Sequence, residues 1–173
     1  MNHDSYSDAY IRDILLTSRV FAVVGASAKT TRPSYFVLKY LLAKGYDTIP
    51  INPGLVGKTI ADRTAFASLI EIERPIDVVD IFRNSEAALG ITEDAIRIGA
   101  KVVWMQLGVR NDAAARLAED AGLKVVMNRC PKIEYGRLSG EIGWAGVNSR
   151  TLSSRRPILS ARGSQQRALR RNT

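Results

Sequence analysis

A chain of 173 residues that is 46% hydrophobic can bury one good core, and a single domain is expected. The net charge of +8 looks like a nucleic-acid signal until it is located: seven arginines lie between Arg150 and Thr173 with no acid among them, and the remainder is nearly neutral. With one cysteine (Cys130) and one histidine (His3), a disulfide framework, Cys/His zinc sites and Ser-His-Asp or Cys-His catalysis all lack their parts.

The N-terminus does not order basic then apolar residues as a secretory signal does, and no apolar run reaches membrane-spanning length. A cytoplasmic protein without membrane insertion is expected. Residues 5–18 read as an amphipathic opening helix with Tyr6, Tyr10 and Ile14 on one side. Val20–Val24 is a fully apolar run suited to a strand buried on both faces, and Gly25 lets the backbone turn sharply at its end. Pro33 fits the first turn of a helix that runs to Lys44 and is stopped by Gly45. The second strand is 46–51. A short edge strand is expected at Thr59 and Ile60, outside the second strand, and then a helix over 65–70 with Asp62 as its N-cap. A third buried strand covers 76–82, a helix 86–98 ends at Gly99, and a fourth strand covers 101–105. A helix over 112–121 ends at Gly122, and a fifth strand covers 124–127.

Strands and helices alternating in this way, joined by right-handed crossovers, make a Rossmann-like open parallel sheet in a three-layer α/β/α domain. The major strands are expected in the order 2-1-3-4-5. Residues 1–148 form that domain; 149–173, rich in Ser, Arg and Gln, read as a basic, disordered tail. The tail has no aromatic residues interleaved for base stacking, so no specific nucleic-acid recognition is expected.

In open α/β sheets ligands bind where the strand order reverses, here between the first and third strands. The turn at Gly25 runs into the helix at Pro33, where backbone N–H groups and the helix dipole suit a phosphate, aided by Ser27, Ser34 and Arg32. A dinucleotide fingerprint would have three glycines and an acid after the second strand. This chain has Gly25 alone, and its second strand ends in Asn52-Pro53-Gly54. Arg32, Lys58 and Arg83 follow successive strands, a basic rim suited to a ligand richer in phosphate than NAD, such as a 3′-phosphorylated ADP with a long neutral arm. Asp80, Phe82, Arg83 and Gln106 are expected along the crevice, and Asp77 forms a structural ion pair or marks the strand start. Cys130 is the remaining candidate for chemistry. Arg129 and Lys132 beside it are cations of the kind that lower a thiol pKa, which would let it exchange with a ligand thiol; the competing reading is a buried thiol fixed by Pro131.

The ordered segments Val-Val-Gly-Ala-Ser (23–27), Arg-Pro-Ser-Tyr (32–35), Ile-Pro-Ile-Asn-Pro (49–53), Val-Asp-Ile-Phe-Arg (79–83), Val-Val-Trp-Met-Gln-Leu-Gly-Val (102–109) and Cys-Pro-Lys-Ile-Glu-Tyr-Gly-Arg-Leu (130–138) carry a resemblance. Together they resemble the stand-alone bacterial CoA-binding protein family, itself similar to the N-terminal CoA-binding domain of the succinyl-CoA ligase α subunit. The resemblance implies coenzyme A or acyl-CoA as the bound cofactor. It implies that Gly25, Ala26 and Ser27, with Arg32 and Ser34, hold phosphates, and that Asn52, Pro53 and Lys58 run beside the nucleotide end. Phe82 and Arg83 pack against that end, and Gln106 lies near the pantetheine arm. The ligase subunit takes up phosphate on a histidine of a second domain, and this chain has no counterpart of either. A non-catalytic carrier or metabolic sensor leads, with two alternatives: an acyl-CoA-dependent transferase using Cys130, and an NAD(P)-binding regulator. The stretch 132–137, with Trp144 beyond it, either is a partner surface, in a homodimer or against another protein, or folds back over the sheet edge.

Overall fold

The computed structural model describes residues 1–141. In chain order its elements are α1 (Asp8–Thr17), β1 (Val20–Val24), α2 (Pro33–Ala43), β2 (Asp47–Ile51), β3 (Thr59–Ile60), β4 (Arg63–Thr64), β5 (Val78–Ile81), α3 (Ala88–Arg97), β6 (Val102–Met105), α4 (Asp112–Asp120), β7 (Lys124–Val126) and α5 (Pro131–Ser139). The main sheet is wholly parallel, in the order β2-β1-β5-β6-β7, as the crossover rule anticipates. Its strands are short runs of Val, Ile and aromatic residues because both faces are covered. One face sets Ala22, Ile51, Val79 and Met105 under the alanines of α3 and α4. The other sets Phe21, Val78, Trp104 and Val126 under α1, α2 and α5.

Two segments differ from expectation. No helix forms over 65–70. Ala61 and Asp62 both take left-handed backbone, at φ 46° and 64°, and make the two-residue turn of the hairpin β3–β4, so Asp62 is a turn residue and not a helix cap. Thr59 and Ile60 pair with β4 rather than joining the main sheet. The outer edge of β2 is met instead by Phe66, which donates to Pro50 O at 3.0 Å and accepts from Asn52 N at 2.8 Å. Helical backbone in this region shrinks to one turn, Leu69–Glu71.

The second difference is α5. Pro131 stands in its first turn, Gly140 ends it at φ 83°, and Tyr135 and Cys130 lie in the core beside α1 and α2. The stretch after Cys130 therefore folds back over a face of the sheet, not over its edge. Trp144 and the arginine-rich tail lie outside the described residues. The β7 edge is occupied by tyrosines of the N-terminal segment: Tyr10 Oη accepts from Val125 N at 3.0 Å and Tyr6 Oη from Met127 N at 2.7 Å. These bonds satisfy N–H groups that an unpaired edge would leave open to another chain. Among the described residues no helix is long and apolar enough to cross a membrane.

Candidate functional site

The chain grows in one direction from β1 to β2 and in the other from β5 to β7, so the order reverses between β1 and β5. At that point Gly25 closes β1 at φ +88°. A Cβ there would lie 2.5 Å from Phe82 O, so only glycine lets the ends of β1 and β5 approach this closely. The N–H groups of Gly25 and Ala26 both donate to Ile51 O, at 2.9 and 3.2 Å. Asn52 braces the same turn: its Nδ2 donates to Ala26 O at 2.7 Å while its Oδ1 accepts from Gly54 N at 2.9 Å. Gly25, Ala26 and Asn52 thus build the turn with their own polar groups. Ser27 accepts from Lys29 N, and the loop then runs exposed through Arg32, the N-cap of α2, to Pro33.

A cavity of about 580 Å³ opens beside this turn, between the start of α2 and the start of α5. Phe82, Arg83 and Gln106 line it, as expected, together with Thr31 and Pro33. Cys130 and Lys132 close the α5 side. Phe36, Leu107 and Ile133 stand exposed around it and make an apolar mouth, to which the sequence did not assign Phe36 or Ile133. Lys58 and Pro53 are exposed beyond β2 and do not line this cavity, and Ser34 is buried, only 4% exposed, within the first turn of α2. The predicted residues therefore divide into a turn, a cavity wall and an outlying basic rim.

Behind Gln106 in the cavity wall lies a buried acid. Asp80 is fully buried, and Gln106 Nε2 donates to its two carboxylate oxygens at 2.9 and 3.1 Å. Burial pushes the Asp80 carboxyl up to about 8, opposed by the Gln106 hydrogen bond. Asp77, three residues earlier, does a different job. It accepts from Arg19 N and Val20 N at 2.8 and 3.0 Å and pairs with Lys101 at 2.7 Å. Burial works against its charge, but these partners together hold it below the usual carboxylate range. Asp77 is the structural ion pair at the strand start.

Of the two readings of Cys130, an activated thiol beside Arg129 and Lys132 or a buried thiol fixed by Pro131, the structure favours the second: Cys130 is 7% exposed and its pKa is raised. Burial dominates; the Ile133 N–H opposes it, and the nearby Asp80 adds to it. Iodoacetamide at neutral pH should modify Cys130 at least about tenfold more slowly than it modifies the urea-unfolded chain, read by mass spectrometry. Equal rates would mean that the thiol is accessible after all. Among the described residues no group of three or more His, Cys, Asp or Glu is placed to hold a metal ion.

A doubly wound parallel sheet with a glycine turn, a helix start and a cavity at its switch point defines a Rossmann-like ligand-binding domain. The chain belongs to the CoA binding domain family, whose model matches residues 19–136. It is 37% identical over 129 residues to the uncharacterized protein YneT of Bacillus subtilis, covering 75% of this chain and 94% of that one. A hypothetical protein from Pyrococcus horikoshii is 40% identical, with a TM-score of 0.74 over 80% of this chain and 96% of that structure. A dinucleotide-forming acetyl-coenzyme A synthetase from Ca. Korarchaeum cryptofilum, in complex with phosphate and ADP, shares the fold at 23% identity and a TM-score of 0.59. The match spans 67% of this chain and 27% of that much longer one.

Proposed function

We propose that the domain binds coenzyme A or an acyl-CoA at this crevice, as a carrier or sensor that performs no reaction on it. The observation that carries the reading is the cavity itself: in a chain of the CoA binding domain family, it joins a helix start to Phe82, Arg83 and Gln106 at the switch point. Phosphates would meet the exposed loop from Ser27 to Arg32, with Arg83 and Lys58 as further cations. The apolar mouth of Phe36, Leu107 and Ile133 suits a neutral arm, and Gln106 offers it a hydrogen-bonding amide. The buried thiol of Cys130, with its raised pKa, favours binding over acyl transfer.

Calorimetric titration with CoA, acetyl-CoA, dephospho-CoA and NAD tests this. CoA and acetyl-CoA should bind with roughly micromolar affinity, dephospho-CoA more weakly, and NAD not measurably. Arg32→Ala, Lys58→Ala and Arg83→Ala should each weaken CoA about tenfold, and any of the three that reads the 3′-phosphate should show a smaller loss with dephospho-CoA. Binding of NAD in preference to CoA would overturn the reading.

A further inference from the structure

Gln106 lines the cavity, and behind it stands a buried acid that phosphate binding leaves unused. Asp80 sits between Val23 on β1 and Trp104 on β6 in the sheet register and is fully buried. Among the described residues its hydrogen-bond partner is the Gln106 side chain. Gln106 is itself 95% buried, at 5% exposure, and lines the cavity. Whichever end of its amide Asp80 does not use is the end left for a ligand.

The chemistry of the two groups couples that choice to a proton. An ionised carboxylate only accepts, so it takes the Gln106 NH2 and leaves Oε1 for the cavity. A protonated carboxyl must donate, and an amide nitrogen cannot accept. Left facing Nε2, the acid O–H would be a buried donor without a partner, a cost of about 1–3 kcal/mol. Turning the amide over, an exchange of two atoms of nearly equal size, lets Asp80 donate to Oε1 and presents the NH2 to the cavity.

We propose that Asp80 is a positioning residue: its proton sets which end of the Gln106 amide faces the cavity, so that the site holds a ligand's amide or thioester carbonyl when Asp80 is protonated and loses that contact when it ionises. The inference rests on the coenzyme reading and deepens it, because the arm of CoA carries amide carbonyls and an acyl-CoA adds a thioester carbonyl. The orientation in the structure, Nε2 toward both Asp80 oxygens, is that of the ionised carboxylate, and burial, by pushing the Asp80 carboxyl up to about 8, favours turning the amide over to the carbonyl-binding form at neutral pH. Among the described residues, the charged and titratable groups lining the cavity are Cys130 and Lys132 at the start of α5 and Arg83 after β5; β1 and α2 present Val23 and Val37. Cys130 is the one whose raised thiol would confuse an alkaline titration, so it is replaced in the test.

Acetyl-CoA, which has no thiol proton, is titrated into the full chain carrying Cys130→Ser, with and without Asp80→Asn, from about pH 6.5 to about pH 9.5. With Asp80 present, affinity should fall about tenfold across that range with a midpoint near pH 8, the loss of one hydrogen bond. With Asp80→Asn, whose amide donates as the acid does, the tight form should persist throughout. Parallel pH profiles in the two proteins would overturn the proposal while leaving the coenzyme reading intact; no binding at pH 7 by the chain that keeps Asp80 would refute both. Should Asp80→Asn fail to fold, NMR of the Gln106 side-chain amide in the chain that keeps Asp80 decides: its signals should titrate with the same midpoint, and signals that do not move overturn the proposal.

Discussion

Gly25→Ala should destabilise the domain by on the order of 3 kcal/mol or more and abolish coenzyme binding, whereas Gly45→Ala should cost only about 1–2 kcal/mol. The comparison is informative because the two glycines share a backbone conformation, with φ of +88° and +87°. The left-handed penalty for an L residue, about 1–2 kcal/mol, is therefore common to both. They differ in what a methyl group would meet. At Gly45 no heavy atom lies within 4 Å, so the side chain enters open space. At Gly25 the new Cβ would stand 2.5 Å from Phe82 O and 3.1 Å from Phe82 C, which are backbone atoms with no rotamer to escape through. Relief requires β1 and β5 to part at their ends. The Gly25 N–H bond to Ile51 O on one side and the Phe82 N–H bond to Val24 O on the other both resist this, at 2.9 and 2.8 Å. Urea unfolding of the two variants beside the parent chain measures the difference. Equal losses at the two positions would show that the close approach of strand ends does not constrain this turn.

That turn was legible in the sequence because its cause is local: a five-residue apolar run, one glycine, then a proline at a helix start. The strand order was legible for a similar reason, since buried parallel strands joined by right-handed crossovers admit few arrangements. What escaped depended on partners distant in the chain. Residues 65–70 have a composition that a helix accepts, yet Phe66 is drawn to the edge of β2, where Pro50 O and Asn52 N need partners. The helix α5 carries the right end signals in Pro131 and Gly140, but Gly136 in its interior weakens the local preference, and packing of Tyr135 and Cys130 on the sheet supplies the remainder. At the site, Arg83 and Gln106 were visible from their places at strand ends, while the apolar mouth combines α2, α5 and the loop after β6. For Cys130 two readings stood open, because sequence shows the cationic neighbours and not the burial that decides between them. Arg129 in the structure stacks over Tyr6 and approaches Glu134. Trp104 Nε1 donates to Arg129 O at 2.8 Å and holds the backbone just before the cysteine.

Asp80→Asn should make the protein more stable at alkaline pH, by up to about 5 kcal/mol near pH 9, and leave it nearly unchanged at pH 4. In the unfolded chain an aspartate ionises near about pH 3.9, whereas the folded Asp80 holds its proton up to about 8 because burial penalises the charge. Below the lower value both states are protonated and the carboxyl costs nothing electrostatically. Between the two values the unfolded chain releases a proton that the native chain keeps, so native stability declines as pH rises, at most about 1.4 kcal/mol per pH unit. Above the upper value both states are ionised, and the full penalty of a buried carboxylate remains, met among the described residues by the Gln106 amide. Asparagine has nearly the same shape, pairs with the Gln106 amide and cannot ionise, so it removes the decline while keeping the hydrogen bond. Asp77→Asn provides the opposite sign: its folded pKa is lowered, so its contribution is present above the unfolded value and lost as pH falls through the folded one. Removing that charge should destabilise the protein at neutral pH, because the Arg19 and Val20 N–H groups and Lys101 lose a carboxylate acceptor. Urea unfolding of the parent and both variants at about pH 4, 7 and 9 separates the two. An Asp80→Asn variant no more stable than the parent at about pH 9 would mean that the native carboxylate finds compensation the fold does not display, and a buried acid would then have no place in accounting for the pH response of the site.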